Sequence, residues 1–196
     1  MIRITGGIAK GRSLKVPSGD AVRPTSDKVR QALFNILSHR FNLDFDGARV
    51  LDLFAGSGAL GLEALSRGAS FVCFVELEQR HARMINENCN LVQAAISQRR
   101  EEQVRCSTVN KRVSTALLRR PDRPYDLIFM DPPYAQESEG KHLKALEEGW
   151  LSEGGYVIIE HAKHNLFELP DGWSQELRRR YGDTYITICS RETHSP

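Results

Sequence analysis

The sequence predicts an α/β protein built around a mostly parallel sheet with helices on both faces, and three observations carry that reading. Short apolar runs alternate with helical patterns from residue 49 onward, as in chains whose parallel strands are joined by crossover helices. Two of the runs, Phe71-Val72-Cys73-Phe74-Val75 and Leu127-Ile128-Phe129-Met130, are apolar without alternation, which suits strands buried on both faces. The first run ends in Gly56-Ser57-Gly58-Ala59-Leu60-Gly61, the G-x-G-x-x-G spacing of a ligand-cradling strand-to-helix turn. At 196 residues and 40% hydrophobic content, the chain can bury one substantial core.

The elements follow in order. Residues 1–22 combine Gly6, Gly7, Gly11, Pro17 and Gly19 with short alternating pieces and read as a basic β-hairpin or arm. Pro24-Thr25-Ser26 starts a helix whose Val29, Leu33, Ile36 and Leu37 share one inward face, leaving Lys28 and Arg30 outward. Residues 1–40 are therefore expected to form a docking extension packed on a main domain of residues 41–196. In that domain, strands at 49–54, 71–76, about 104–109, 125–130 and 155–160 alternate with helices at about 59–67, 78–92, 113–120 and 139–149. The polar stretch from Ser97 to Gln103 is a loop. Near the end, Tyr181-Gly182-Asp183 is a turn signal between Gln175–Arg180 and Thr184–Cys189, which predicts an antiparallel hairpin closing the sheet.

Composition narrows the class. The four cysteines, Cys73, Cys89, Cys106 and Cys189, form no C-x-x-C pair, which fits a reducing compartment and argues against a zinc knuckle or redox motif. The opening residues lack the apolar run of a signal peptide and no stretch is long enough to span a bilayer, so a cytoplasmic protein without membrane contact is expected. The net charge of +2 conceals an asymmetry: residues 1–40 carry eight Lys/Arg against Asp20 and Asp27, or +6, and the remainder is mildly acidic. A basic segment on an acidic body reads as a docking surface for a polyanion, with nucleic acid foremost.

The glycine turn admits two ligands. An NAD pyrophosphate would lie against the N-terminus of the following helix, favoured by its N–H groups and dipole. Asp52, only four residues before Gly56, opposes a nearby diphosphate and favours S-adenosylmethionine, whose methionine end carries an ammonium and a sulfonium. Glu76 closes the second strand of the domain, twenty residues after Gly56, where an acid can accept hydrogen bonds from ribose hydroxyls. Both cofactors have such a ribose, so Glu76 does not choose between them.

Asp131-Pro132-Pro133-Tyr134 follows the strand at 125–130 and is the strongest signal in the chain. Two prolines make the backbone rigid, which suits a site that holds a carboxylate, a carbonyl and an aromatic face in fixed relation. A planar exocyclic amine fits it: Tyr134 stacks on the ring while Asp131 and the Pro132 carbonyl accept the amine hydrogens. That grip concentrates the nitrogen lone pair toward a methyl donor. No strong base is needed, since the amine grows acidic as it attacks, and alignment of the reacting atoms can contribute up to ~7–11 kcal/mol.

With these residues the chain resembles the amino-methyltransferases that modify exocyclic nitrogens of bases. More closely, Ile4-Thr5-Gly6-Gly7 through Lys10-Gly11-Arg12, Val22-Arg23-Pro24-Thr25 with Val29-Arg30-Gln31-Ala32-Leu33-Phe34-Asn35, and Leu51-Asp52-Leu53-Phe54-Ala55-Gly56-Ser57-Gly58-Ala59-Leu60-Gly61 resemble the bacterial 16S ribosomal RNA guanine-N2 methyltransferase (RsmD) family. The resemblance spans nearly the whole chain. It implies a Rossmann-like methyltransferase fold of seven strands, S-adenosylmethionine as donor, and a guanine N2 of 16S ribosomal RNA, free or in the small ribosomal subunit, as acceptor. The expected cofactor-binding set is Asp52, Phe54, Ala55, Gly56, Ser57, Gly58, Glu76 and Leu77, and the catalytic set Asp131, Pro132, Pro133 and Tyr134. Lys10, Arg12, Lys15, Arg23, Thr25 and Arg30 are the expected RNA contacts, on a protein expected to act as a monomer.

One departure concerns the adenine. Methyltransferases of this fold often carry an acid after the third strand, yet residues 104–115 contain no Asp or Glu; Asn110 is the substitute, accepting through its amide oxygen. Base methylation of DNA uses the same loop chemistry, but no large target-recognition domain accompanies residues 45–190, and a small basic arm suits shaped RNA with an unstacked base. An NAD-dependent oxidoreductase leaves Asp52 and Asp131-Pro132-Pro133-Tyr134 unexplained. Protein glutamine methylation leaves the arm unexplained. A non-catalytic RNA-binding module accounts for the arm but lacks evident aromatic stacking pairs. Glu160-His161 with His164 has metal-ligand spacing but no third ligand, so no metal is expected. Arg178-Arg179-Arg180 reads as a solvated strand edge, with a phosphate contact as the minority reading.

Overall fold

The structure is a computed structural model and describes residues 2–17, 26–99, 104–132, 139–163 and 167–192. In chain order the elements are β1 (Ile2–Arg3), β2 (Ser13–Leu14), α1 (Asp27–Arg40), β3 (Arg49–Leu53), α2 (Ala59–Arg67), β4 (Phe71–Glu76), α3 (Gln79–Ser97) and β5 (Arg105–Asn110). They continue with α4 (Val113–Ala116), β6 (Tyr125–Met130), α5 (Glu139–Leu146), β7 (Leu151–Ala162), β8 (Trp173–Tyr181) and β9 (Thr184–Arg191).

Seven strands form one sheet in the order β5-β4-β3-β6-β7-β9-β8. The first five are parallel, and β9 runs antiparallel between β7 and β8. This is the mostly parallel sheet with a closing antiparallel hairpin that the sequence implies. The non-alternating strands are buried on both faces: Val50, Leu51, Leu53, Phe74, Leu127, Ile128 and Phe129 are all 0% exposed. One core layer joins α1, α2 and α3 to the sheet through Leu33, Phe34, Leu62, Ile85 and Phe129. The layer on the other face holds Leu51, Ile128, Leu143, Trp150 and Ile159.

The β1–β2 pair carries Ile2, Ile4, Ala9 and Leu14 into the first of these layers. It is pinned by polar contacts as well. Thr5 N and Oγ1 donate to Glu63 at 2.7 and 2.8 Å, Ala9 N donates to Ser66 Oγ at 2.9 Å, and Ile8 N donates to the Ser66 carbonyl at 2.7 Å. Gly7 has φ +73°, and a Cβ there would lie 1.9 Å from the Ser66 oxygen, so only glycine allows this approach to α2.

Four elements depart from the sequence reading. The buried stripe of α1 is Arg30, Leu33, Phe34 and Leu37, with Val29 and Ile36 at its margin. Arg30 is thus turned inward, because Glu63 on α2 faces α1 and draws the guanidinium into the interface. α3 runs on to Ser97, since Val92, Ala95 and Ile96 extend its apolar stripe. α4 is a single short turn, cut off ahead of the polar, proline-flanked stretch 119–124. β7 begins at Leu151 because a register shift lets that residue pair with Tyr125 before the regular ladder starts at Tyr156. Among the described residues, no helix is long and apolar enough to cross a membrane.

Candidate active site

The helices α2 and α3 cover one face of the sheet, while α4 and α5 return on the other, so strand order reverses between β3 and β6. The crevice beyond the carboxyl ends of these two strands is where an open α/β sheet binds its ligand. The glycine turn leaves β3 and Asp131 leaves β6, and Leu53 pairs with Met130, which puts the two segments side by side at this crevice.

The turn is held by two carboxylates. Gly56 N donates to Glu76 Oε2 at 2.8 Å, while Glu78 N donates to Oε1 of the same side chain at 2.8 Å. Gly61 N, in the first turn of α2, donates to Asp52 Oδ2 at 2.9 Å. The glycines have separate reasons. Gly56 and Gly58 take φ +55° and +75°; a Cβ on Gly56 would meet nothing within 4 Å, so its face is open to a ligand. A Cβ on Gly61 would fall 2.5 Å from the Phe74 ring, so this glycine permits α2 to pack on β4.

Asp52 is 3% exposed. Burial pushes its carboxyl up to about 8, the Gly61 N–H pulls it back, and the negative charge of Glu76 adds to the rise. Asp131 is likewise raised, by burial first and then by Glu160 and Asp52. Four acids, Asp52, Glu76, Asp131 and Glu160, therefore converge at the carboxyl ends of the neighbouring strands. A cation, or a donor of N–H groups, relieves that imbalance.

Phe54 joins these segments. It adopts φ +59°, a left-handed conformation that is strained for a bulky residue, and its ring meets His142 of α5 edge-on at 5.4 Å. Leu77 is 50% exposed just past Glu76 and offers an apolar surface at the rim. Asn110 donates through Nδ2 to the carbonyls of Glu76 and Leu77 at 2.8 and 2.7 Å, which leaves its oxygen as the group it can offer a ligand. S-adenosylmethionine fits this set: an open glycine face, a carboxylate at the end of β4, an apolar rim, and a buried acid that suits a cationic group. Among the described residues, no group of three or more His, Cys, Asp or Glu is placed to hold a metal ion.

A family model described as conserved hypothetical protein 95 matches residues 2–190. Ribosomal RNA small subunit methyltransferase D of Escherichia coli (strain K12) is 33% identical over 193 residues, which cover 97% of this chain and 90% of that protein. The chain belongs to the RsmD family. The protein of the same name from Haemophilus influenzae is 31% identical over 88% of this chain and 85% of its own. The solved structure of yhhF from Escherichia coli superposes with a TM-score of 0.80 at 30% identity, covering 98% of this chain and 99% of that one.

The basic residues expected of an RsmD-family arm divide. Lys10, Arg12 and Lys15 are exposed, with Lys15 Nζ paired to Glu87 at 2.7 Å. Arg30 is not at the surface: it is 0% exposed and bonded to Glu63 at 3.4 Å and Asp27 at 3.0 Å, so it joins the packing of α1 on α2 and is withdrawn from the RNA-contacting set. Arg23, Thr25, Pro133, Tyr134 and His164 lie outside the described residues. Pro132 is buried directly after Asp131.

Asn88 escaped the sequence reading, and Glu160 entered it only through its metal-ligand spacing. Asn88, 1% exposed on α3, donates through Nδ2 to the Lys15 carbonyl at 3.0 Å and the Ser57 carbonyl at 3.1 Å, and accepts from Lys15 N at 2.9 Å. It ties the arm to the glycine turn. The signal was a polar residue between Ile85 and Val92 on an otherwise apolar helix stripe. Glu160 acts on Asp131 from the end of β7, and only the pairing of Met130 with Ile159 brings it there.

Proposed function

We propose that the protein methylates 16S ribosomal RNA of the small subunit, taking the methyl group from S-adenosylmethionine and placing it on the exocyclic N2 of a guanine. The observation that carries this reading is the juxtaposition of a Glu76-braced glycine turn with Asp131-Pro132 at the end of the neighbouring strand. The names and identities of the relatives support ribosomal RNA as the substrate.

When bound, S-adenosylmethionine supplies an electrophilic methyl group on a sulfonium. Glu76 has the position to receive ribose hydroxyls, Leu77 and Asn110 to meet the adenine, and Asp52 to balance the cationic end. Asp131 and the Pro132 carbonyl accept the hydrogens of the guanine amine and turn its lone pair toward the methyl carbon, with Tyr134 as the stacking face that the sequence offers. As the new N–C bond forms, the methyl carbon would part from the sulfonium sulfur, which leaves as a neutral thioether, and the nitrogen would shed a proton. Asp131 in its carboxylate form is the acceptor for it, made more basic by burial and by the charges of Glu160 and Asp52. Most of the acceleration comes from alignment, up to ~7–11 kcal/mol.

The decisive experiment offers methyl-labelled S-adenosylmethionine with naked 16S ribosomal RNA and with intact small subunits, then maps the labelled base. Label on guanine N2 of either form is the expected result. Label on adenine N6 overturns the base assignment, and label on neither RNA overturns the substrate.

A further inference from the structure

The run Arg178-Arg179-Arg180 has no part in the site described above, yet strand register brings it level with that site. Met130 pairs with Ile159, Ile159 with Thr187, and Thr187 with Arg178, so Arg178 shares a transverse row with the residue that precedes Asp131. Glu160, Ile186 and Arg179 form the next row, at the height of Asp131, and His161, Tyr185 and Arg180 the one after. β8 lies three ladder steps from β6, or about 14 Å at the usual strand spacing. The tip of this hairpin is fastened to the end of β7, where Lys163 N donates to the Asp183 carbonyl at 2.9 Å.

The side chains are arranged in advance. Arg178 Nε donates to Thr187 Oγ1 at 3.1 Å, with its guanidinium 6.0 Å from the centre of the Phe167 ring. Arg180 Nε donates to the Gly182 carbonyl at 2.7 Å. Both bonds use Nε and fix the guanidinium plane, while the terminal amino groups keep the fork that matches a phosphate. Arg179 is exposed, and among the described residues none of the three arginines makes an ion pair with an acid. Glu176, the acid closest in sequence on β8, accepts from Ser190 Oγ at 2.6 Å. A single exposed cation already discourages edge pairing. Three that alternate across both faces of one strand call for a second reason.

We infer that the β8–β9 tip is a second RNA-docking surface, on which Arg178, Arg179 and Arg180 hold backbone phosphates of the strand that flanks the target base. The inference rests on the reading that the substrate is RNA. The N-terminal arm is fixed to α2 and α3 on the β3–β4 side of β6, whereas this hairpin lies on the β7 side. The crevice at Asp131 therefore opens between two cationic walls. An unstacked base entering it leaves phosphates on either side, and contacts on both sides fix its orientation.

The test uses the full-length R179E/R180E protein and naked 16S ribosomal RNA, with binding measured between about 50 and 200 mM salt. Affinity at low salt is expected to fall on the order of tenfold, and the slope of log K against log salt to shrink by roughly 0.7–0.9 for each phosphate that the variant no longer neutralises. S-adenosylmethionine affinity by calorimetry and the thermal midpoint are expected to match the parent. Should charge reversal disturb folding, R179Q/R180Q provides the same comparison with a smaller expected change. Affinity and salt slope equal to those of the parent overturn the docking surface alone. A parent protein that neither binds nor methylates RNA in the same assay overturns the functional reading instead.

Discussion

Glu63 on α2, and Asp52 with Asp131 at the strand ends, are acids removed from water to different degrees and treated in opposite ways. Glu63 is 0% exposed and accepts from Thr5 N, Thr5 Oγ1, Arg30 Nε and Arg67 Nε. Two guanidinium groups and two neutral donors offset the cost of taking its charge out of water. Asp52 receives the N–H of Gly61, and among the described residues it makes no ion pair. Asp131 faces Glu160 and Asp52, which repel it. One site is electrostatically complete and serves as a joint between the arm, α1 and α2. The other is left short of positive charge, which is the condition of a site awaiting a ligand that supplies it.

The largest effect should come from the incomplete site. Asp131→Ala is expected to slow methyl transfer about 10²–10⁴-fold in single-turnover assays, the range for a group that handles a proton in the transition state. S-adenosylmethionine affinity should stay within a few fold. Undiminished turnover would place the acceptor grip elsewhere and remove the functional half of the contrast.

Breaking the complete site should cost stability instead. Glu63→Ala leaves Arg30 buried beside Arg67 without its shared partner, and loss of one member of a buried pair typically costs about 3–5 kcal/mol. Urea unfolding is the measurement, and a midpoint equal to that of the parent would show that the joint adds nothing to stability. The arm should loosen with it, read as faster amide exchange at Thr5 and Ala9, whose N–H groups point to Glu63 and Ser66.

A third expectation concerns pH. The carboxyl of Asp52 sits near 8 in the folded protein against 3.8 for an ordinary aspartate, so the native state holds an extra proton between these values. Stability from this group therefore falls as pH rises through that window, by at most about 1.4 kcal/mol per pH unit, and levels off above pH 8. A cationic ligand favours the ionised form, so its binding should tighten as pH rises toward 8 and should release a proton. Calorimetry in buffers of different ionisation enthalpy reads the proton directly. Asp52→Asn should remove its share of both the release and the slope and leave that of Asp131; a release and slope equal to those of the parent would mean that Asp52 is not the group that senses the ligand.

This contrast was half legible in the sequence. Strands such as Phe71–Glu76 and Tyr125–Met130 announce themselves because burial on both faces demands an unbroken apolar run, and the glycine turn because its spacing is local. Asp52, Glu76 and Asp131 were legible for the same reason, each lying within a few residues of a strand end. Arg30 was not. Its helix offers Val29 and Arg30 as alternative margins of one stripe, and the choice is made by Glu63, 33 residues away in sequence. Asn88 and Glu160 are likewise placed by tertiary partners, and their local context gives only a polar residue where an apolar one would serve. The level of Arg178-Arg179-Arg180 relative to Asp131 depends on β9 inserting between β7 and β8, a matter of strand order that no local pattern encodes.

The smallest expected effect comes from an ion pair at the surface and sharpens the comparison from outside. Lys15 and Glu87 approach to 2.7 Å, but their side chains are 68% and 55% exposed, so water and salt screen them. Glu87→Ala should therefore leave unfolding by urea within about 1 kcal/mol of the parent, in contrast to Glu63→Ala. The backbone of Lys15 remains clamped by Asn88 in that variant, so the residue keeps its anchor on α3. Released from Glu87, its ammonium is free to meet a phosphate, and RNA affinity at low salt should rise by a small factor with a steeper salt slope. A loss of affinity would mean that Glu87 holds Lys15 in its binding posture, and the pair would then belong with Glu63 as a structural device.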